Sequence, residues 1–102
     1  MAEWKTVASV SDISAGRGLA VNVDGKALAL FNIEGKFYAI NDECTHAGGS
    51  LSEGFIEGNA VACPWHDAKF DITTGKALSA PACEDAVAYN VRVQDGQLQV
   101  EI

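Results

Sequence analysis

The stretch LAVNVDGKALALF, residues 19–31, decides the class of fold. Leu19, Val21 and Val23 alternate with Ala20 and Asn22, the two-residue period of a half-buried strand. Asp24-Gly25 then supplies a pair favoured in two-residue hairpin loops, whose central residues need positive φ. The return run, residues 26–31, places Leu28 and Leu30 on one face. Glu34-Gly35 marks a second turn, followed by an aromatic and β-branched run at 37–40. Near the end of the sequence, Val87, Tyr89, Val91 and Val93 alternate with Ala88, Asn90 and Arg92. Beyond Asp95-Gly96, Leu98, Val100 and Ile102 alternate with Gln97, Gln99 and Glu101. These two runs read as an antiparallel hairpin with one buried face. Phe31, Phe37, Tyr38 and Tyr89 fall on strand patterns and are expected in the core. No stretch has a helical period strong enough to compete, beyond a short turn near Asp12-Ile13. The expectation is an all-β, antiparallel sandwich or barrel-like domain.

Residues 42–83 differ from the strand-rich ends. Gly48, Gly49, Gly54, Gly58 and Gly75 punctuate short runs, and both prolines, Pro64 and Pro81, lie here. Every cysteine and histidine also falls in this segment. It reads as a small loop-built subdomain shaped around a site, within a single domain spanning 1–102.

Length and charge narrow the function. A chain of 102 residues has room for one domain. Seven Lys and Arg against fourteen Asp and Glu leave a net charge of −7. A basic stripe to replace counterions along phosphates is missing, which argues against nucleic acid and anionic membranes as partners. No apolar run approaches the roughly 20 residues of a membrane-spanning helix. Met1-Ala2-Glu3-Trp4-Lys5 carries charges where a secretory signal has its apolar segment, so a reducing, cytoplasmic setting is expected.

Three cysteines cannot close a disulfide framework without one left over. Two of them are followed closely by the two histidines, in Cys44-Thr45-His46 and Cys63-Pro64-Trp65-His66, with sixteen residues between His46 and Cys63. Each stretch offers one thiolate and one imidazole. Two such stretches tip to tip present two sulfurs and two nitrogens, which zinc could accept tetrahedrally. Zinc motifs usually pair the cysteines in one loop and the histidines in another, whereas here each pair is mixed. That order also suits two metal centres, one taking both sulfurs and the other both nitrogens.

The pattern Cys-x-His, sixteen residues, Cys-x-x-His resembles the Rieske [2Fe–2S] motif, and the neighbours fit too. These are Cys44-Thr45-His46-Ala47-Gly48, Cys63-Pro64-Trp65-His66, Phe70-Asp71 and Thr74-Gly75-Lys76-Ala77-Leu78. Within that superfamily the chain is similar to the small Rieske ferredoxins of bacterial aromatic-ring dioxygenase systems. The resemblance implies the Rieske fold and one [2Fe–2S] cluster per chain, with Cys44 and Cys63 on one iron. It places His46 and His66 on the outer iron, with their second ring nitrogens toward solvent. Two ferric ions, two sulfides and two thiolates cancel, so the oxidised site is neutral and one-electron reduction is eased relative to an all-cysteine site.

The same resemblance implies a monomeric electron carrier and not a catalyst. Its donor would be a flavin-dependent, NAD(P)H-oxidising reductase and its acceptor a terminal ring-hydroxylating dioxygenase, both docking near His46 and His66. Two other readings stay open. One is the small Rieske-like subunit of a larger reductase, such as assimilatory nitrite reductase, although several of those lack the ligands retained here. The other is a zinc-stabilised interaction module.

Departures from the respiratory Rieske proteins carry information. Their two bridging cysteines correspond to Gly49 and Trp65, so that disulfide cannot form. Their serine and tyrosine, whose hydroxyls donate to sulfur, correspond to Ala68 and Phe70. Such hydrogen bonds stabilise the reduced cluster, so their loss lowers the potential. The expected value is on the order of −150 mV, not +300 mV. Trp65 packs within its loop, shields the cluster or contacts a partner, and Asp67 is expected in solvent. Ser79-Ala80-Pro81-Ala82 resembles the loop that covers the cluster, and Cys83 reads as an ordinary small thiol.

Overall fold

The computed structural model describes residues 3–42, 50–62, 69–78 and 86–101. In chain order the strands are β1 (Trp4–Ser9), β2 (Arg17–Val23), β3 (Lys26–Ile33), β4 (Lys36–Asn41) and β5 (Phe55–Glu57). They continue with β6 (Ala60–Ala62), β7 (Lys69–Asp71), β8 (Ala88–Tyr89), β9 (Val91–Gln94) and β10 (Gln97–Glu101). Two single-turn 3-10 helices, Val10–Asp12 and Leu51–Glu53, are the only helical pieces among the described residues. All strand pairs are antiparallel, in sheets ordered β1-β10-β9, β2-β3-β4-β8 and β5-β6-β7. The expected all-β antiparallel architecture is present.

Three hairpins close on the pairs singled out in the sequence. Asp24-Gly25 joins β2 to β3, Glu34-Gly35 joins β3 to β4, and Asp95-Gly96 joins β9 to β10. In each pair both residues have φ between +51° and +87°, the type I′ signature whose twist matches the flanking strands.

Alternation along β3 explains how the sheets stack. Leu28 and Leu30 point into one core with Ile13, Val23, Ala39, Leu98 and Val100, between the four-stranded sheet and the β1-β10-β9 sheet. Ala29 and Phe31 point the other way, into a second core with Ile40, Leu51, Val61, Phe70 and Ile72. That second core lies beneath the β5-β6-β7 sheet. The four-stranded sheet is therefore a middle layer, and β3 is buried on both faces.

Three local readings change. Val87–Val93 is not one continuous strand: β8 pairs with β4, and the chain then crosses to pair with β10. At the crossing, the carbonyl of Asn90 accepts from Glu101 N–H at 2.9 Å. Tyr89 and Val91 pack on the core, while Val87 and Val93 are half exposed. Strand β1 escapes the period rule because a bulge between Thr6 and Ala8 breaks its register against β10. The middle segment also holds a sheet where only loops were expected. Its three strands have three residues each, too few to display a two-residue period.

Candidate metal centre

Cys44, His46, Cys63 and His66 all lie outside the described residues, as do Gly49, Trp65, Asp67, Ala68, Ser79, Ala80, Pro81, Ala82 and Cys83. Among the described residues no group of three or more His, Cys, Asp or Glu could hold a metal ion. What the structure does define is the framework from which the two Cys/His stretches depart and to which they return.

Asp42 closes the first stretch. Its carbonyl accepts from Leu51 N–H at 2.6 Å and its carboxylate from Ser52 N–H at 2.8 Å. Residues 43–50 thus begin and end at one buried carboxylate. The second stretch bridges a hairpin: Ala62 and Lys69 face each other across β6 and β7, and residues 63–68 connect them. Segment 79–85 has its own anchors, Leu78 N–H to Lys69 carbonyl at 2.8 Å and Ala86 N–H to Gly75 carbonyl at 2.7 Å.

These anchors join into one circuit. The 3-10 turn Leu51–Glu53 closes with Gly54 N–H on the Leu51 carbonyl at 2.9 Å, and Phe55 pairs with Ala62. Ala62 pairs with Lys69, which binds Leu78; Asn41 N–H returns to the Val87 carbonyl at 3.0 Å. The roots of all three stretches are therefore held together by main-chain hydrogen bonds.

Two glycines make this closure possible. A Cβ on Gly54 would stand 2.3 Å from the Ala62 carbonyl oxygen. One on Gly75, which has φ +79°, would stand 2.2 Å from the Ala86 carbonyl oxygen. Asp71 shapes the turn before Gly75. Its carboxylate accepts from the Thr73 hydroxyl at 2.5 Å, Thr73 N–H at 2.8 Å and Thr74 N–H at 3.3 Å. The Thr73 hydroxyl, reinforced by these N–H groups, holds the Asp71 carboxyl below its ordinary value of 3.8. Gly54, Gly75 and Asp71 fall in stretches the sequence singles out, but the closing roles of these residues and of Asp42 were not read there. Their signal, an Asp or Gly beside a Cys/His stretch, is too common to stand out.

Phe70 is fully buried, in line with Val61 on one side and Ala77 on the other. A shallow groove of about 560 Å³, lined by Ala15, Ile33, Glu34, Ile56, Gly58 and Asn59 among others, lies at the opposite end of the small sheet. No described helix is long and apolar enough to cross a membrane.

Comparison with known proteins matches residues 3–98 to the Rieske [2Fe-2S] domain. The chain is 38% identical over 100 residues to the ferredoxin component of a naphthalene 1,2-dioxygenase system from Pseudomonas putida, covering 98% of this chain and 96% of the relative. It is 43% identical over 94 residues to the 3-phenylpropionate/cinnamic acid dioxygenase ferredoxin subunit of Escherichia coli (strain K12), covering 91% and 88%.

Among solved structures, a chain in a complex of reduced oxygenase and oxidised ferredoxin in carbazole 1,9a-dioxygenase superposes with a TM-score of 0.89 at 36% identity. The match covers 95% of this chain and 91% of that one. A putative NADH-dependent nitrite reductase small subunit from Mycobacterium tuberculosis superposes at 0.90 with 26% identity, covering 100% and 96%. The strand order, the circuit at the roots of the Cys/His stretches and these matches together make the chain a member of the Rieske [2Fe-2S] domain family.

Proposed function

We propose that this protein is a Rieske-type ferredoxin, a one-electron carrier between an NAD(P)H-dependent flavin reductase and a terminal ring-hydroxylating dioxygenase. In this reading Cys44 and Cys63 hold one iron and His46 and His66 the other, with one [2Fe–2S] cluster per chain. The bound cluster supplies a reversible one-electron couple. The chain is a monomeric, cytoplasmic single domain over 1–102, with 42–83 as its cluster-binding part.

One observation carries the assignment: the hydrogen-bond circuit through Asp42, Leu51, Ala62, Lys69 and Leu78 gathers the roots of the two stretches that contain the four donors. The donor set fits the group. Two thiolates balance the charge of two ferric ions and two sulfides, and two neutral imidazoles complete ligation without adding charge. Asp42 secures the ends of the Cys44/His46 stretch, and the β6–β7 pairing secures those of Cys63/His66. A framework held by main-chain hydrogen bonds limits rearrangement when the redox state changes, which favours fast electron transfer. The relatives named as ferredoxin components support the carrier role, and the carbazole dioxygenase complex supports an oxygenase as acceptor.

The test is iron and acid-labile sulfide analysis with electron paramagnetic resonance of the reduced protein. Two irons and two sulfides per chain, lost in Cys44→Ser and in Cys63→Ser, are expected. Zinc in their place would overturn the reading. The likeness to a nitrite reductase small subunit favours a second reading, a subunit of a larger reductase. Stable co-purification with a large subunit identifies that case.

A further inference from the structure

Among the described residues Gly16, Gly25, Gly35, Gly58, Gly75 and Gly96 have positive φ, which is reason enough for glycine. Gly18 and Gly54 are the described glycines without that reason. Both lie against the same piece of main chain, the 3-10 turn Leu51–Glu53.

Gly18 sits within β2, where glycine weakens a strand and marks the close approach of another backbone. A Cβ there would stand 2.7 Å from the Ser52 carbonyl oxygen and 2.9 Å from the ring of Phe31, its partner on β3. Gly54 follows the turn, and a Cβ there would run into the Ala62 carbonyl oxygen. The Ser52 and Ala62 oxygens belong to the main chain, so neither can swing aside as a side-chain tip would. A methyl at either position must move the turn.

The N–H groups of the turn are committed to Asp42. Leu51 N–H donates to its carbonyl at 2.6 Å and Ser52 N–H to its carboxylate at 2.8 Å. Leu51 is fully buried in the same core as Phe31. The turn is thus held against Asp42, β2 and Ala62 at once. Asp42 is the root of the Cys44/His46 stretch, and Ala62 is the root of the Cys63/His66 stretch.

We propose that the turn Leu51–Glu53 is the spacer that sets the two donor stretches relative to each other, with Gly18 and Gly54 as the positioning residues that seat it. The inference rests on the reading of Cys44, His46, Cys63 and His66 as ligands and adds what fixes their spacing. A methyl on Gly18 drives Ser52 from β2, and the Ser52 N–H carries that shift to Asp42 while Ala62 stays in its sheet. A methyl on Gly54 separates the turn from Ala62. In both cases one donor pair moves against the other, and a centre that needs both pairs holds its metal less firmly.

The test compares Gly18→Ala, Gly54→Ala and Gly35→Ala in the whole metal-loaded protein. Gly35 is the control: its φ is +87° and nothing lies within 4 Å of a Cβ there, so alanine strains the backbone without touching the turn. Reduced protein is mixed with excess bathophenanthroline, and iron release is followed by absorbance. Electron paramagnetic resonance of each reduced variant gives the g values.

Gly18→Ala and Gly54→Ala should release iron about tenfold faster than the parent, with shifted g values. Gly35→Ala should keep the parent's release rate and g values while its melting temperature falls. The g values separate positioning from stability, because lost stability alone leaves the spectrum of the folded molecules unchanged. Parent-like release and g values in both turn variants would overturn the spacer. A response confined to Gly54→Ala would overturn the part assigned to Gly18, and if Gly54→Ala does not fold, Gly18→Ala decides. Zinc in place of iron would overturn the carrier reading instead, and the same comparison with pyridylazoresorcinol as chelator would then decide the spacer.

Discussion

Leu51 and Asp42 meet through their main chains at 2.6 Å, and the adjacent Ser52 N–H binds the Asp42 carboxylate at 2.8 Å. An eight-residue excursion containing Cys44 and His46 is thereby closed at its base by a single buried acid. Replacing Asp42 by Ala leaves Ser52 N–H without its acceptor, at a cost of about 1–3 kcal/mol. Asp42→Asn retains the amide oxygen as an acceptor and should lose less. Chemical denaturation of both variants, with iron content measured in parallel, checks the order. Equal stability of Asp42→Ala and the parent would contradict this role.

Gly75 is expected to be the least replaceable turn glycine. A Cβ there meets the Ala86 carbonyl oxygen at 2.2 Å, whereas at Gly25, which has nearly the same φ, nothing lies within 4 Å. Gly25→Ala should cost about 1 kcal/mol for the left-handed backbone alone. Gly75→Ala should cost several times more, because the main chain at Ala86 must move. Thermal melts of the two variants side by side provide the comparison.

Asp71 gives a pH signature of defined sign. Its carboxyl lies below the ordinary value of 3.8 because the Thr73 hydroxyl and the Thr73 and Thr74 N–H groups bind its charged form. A depressed carboxyl stabilises the fold above the unfolded value and loses that contribution as pH falls through the folded value. Asp71→Asn should therefore be less stable than the parent at pH 7, by about 1 kcal/mol. The gap should narrow on acidification below 3.8. Urea unfolding of both proteins at pH 7 and pH 3 measures it, and a gap that widened in acid would contradict the assignment.

Glu34 occupies a left-handed position, φ +52°, where Asp24 and Asp95 stand in the equivalent turns. Asn tolerates that conformation better than Glu because its short side chain can hydrogen-bond locally. Glu34→Asn should raise stability by about 0.5 kcal/mol, seen as a higher thermal midpoint.

How much was legible follows from strand length and neighbours. The three Asp-Gly or Glu-Gly hairpins were plain, because a type I′ loop imposes its own composition on two adjacent residues. The four proposed donors stand out by their spacing in the sequence, and they lie outside the described residues, which hold only the roots of their two stretches. The β5-β6-β7 sheet was not plain, although Gly58, at φ +62°, turns β5 into β6. Strands as short as Phe55–Glu57 show too little alternation to separate them from loops. Phe31 was expected in the core and is buried, but burial of Ala29 beside it was hidden for a related reason: the layer covering that face of β3 is this same sheet, distant in sequence. The break at Asn90 was invisible because a strand that changes sheets keeps its alternation while changing its neighbours.

The central claim is tested most directly by a potentiometric titration of anaerobically purified protein at neutral pH, followed by electron paramagnetic resonance. With Ala68 and Phe70 where respiratory relatives carry hydroxyls, the account predicts a reversible one-electron transition on the order of −150 mV. A midpoint hundreds of millivolts higher would contradict the proposed place between a flavin reductase and an oxygenase. The absence of any transition, with zinc bound instead of iron, would contradict the electron-carrier assignment altogether.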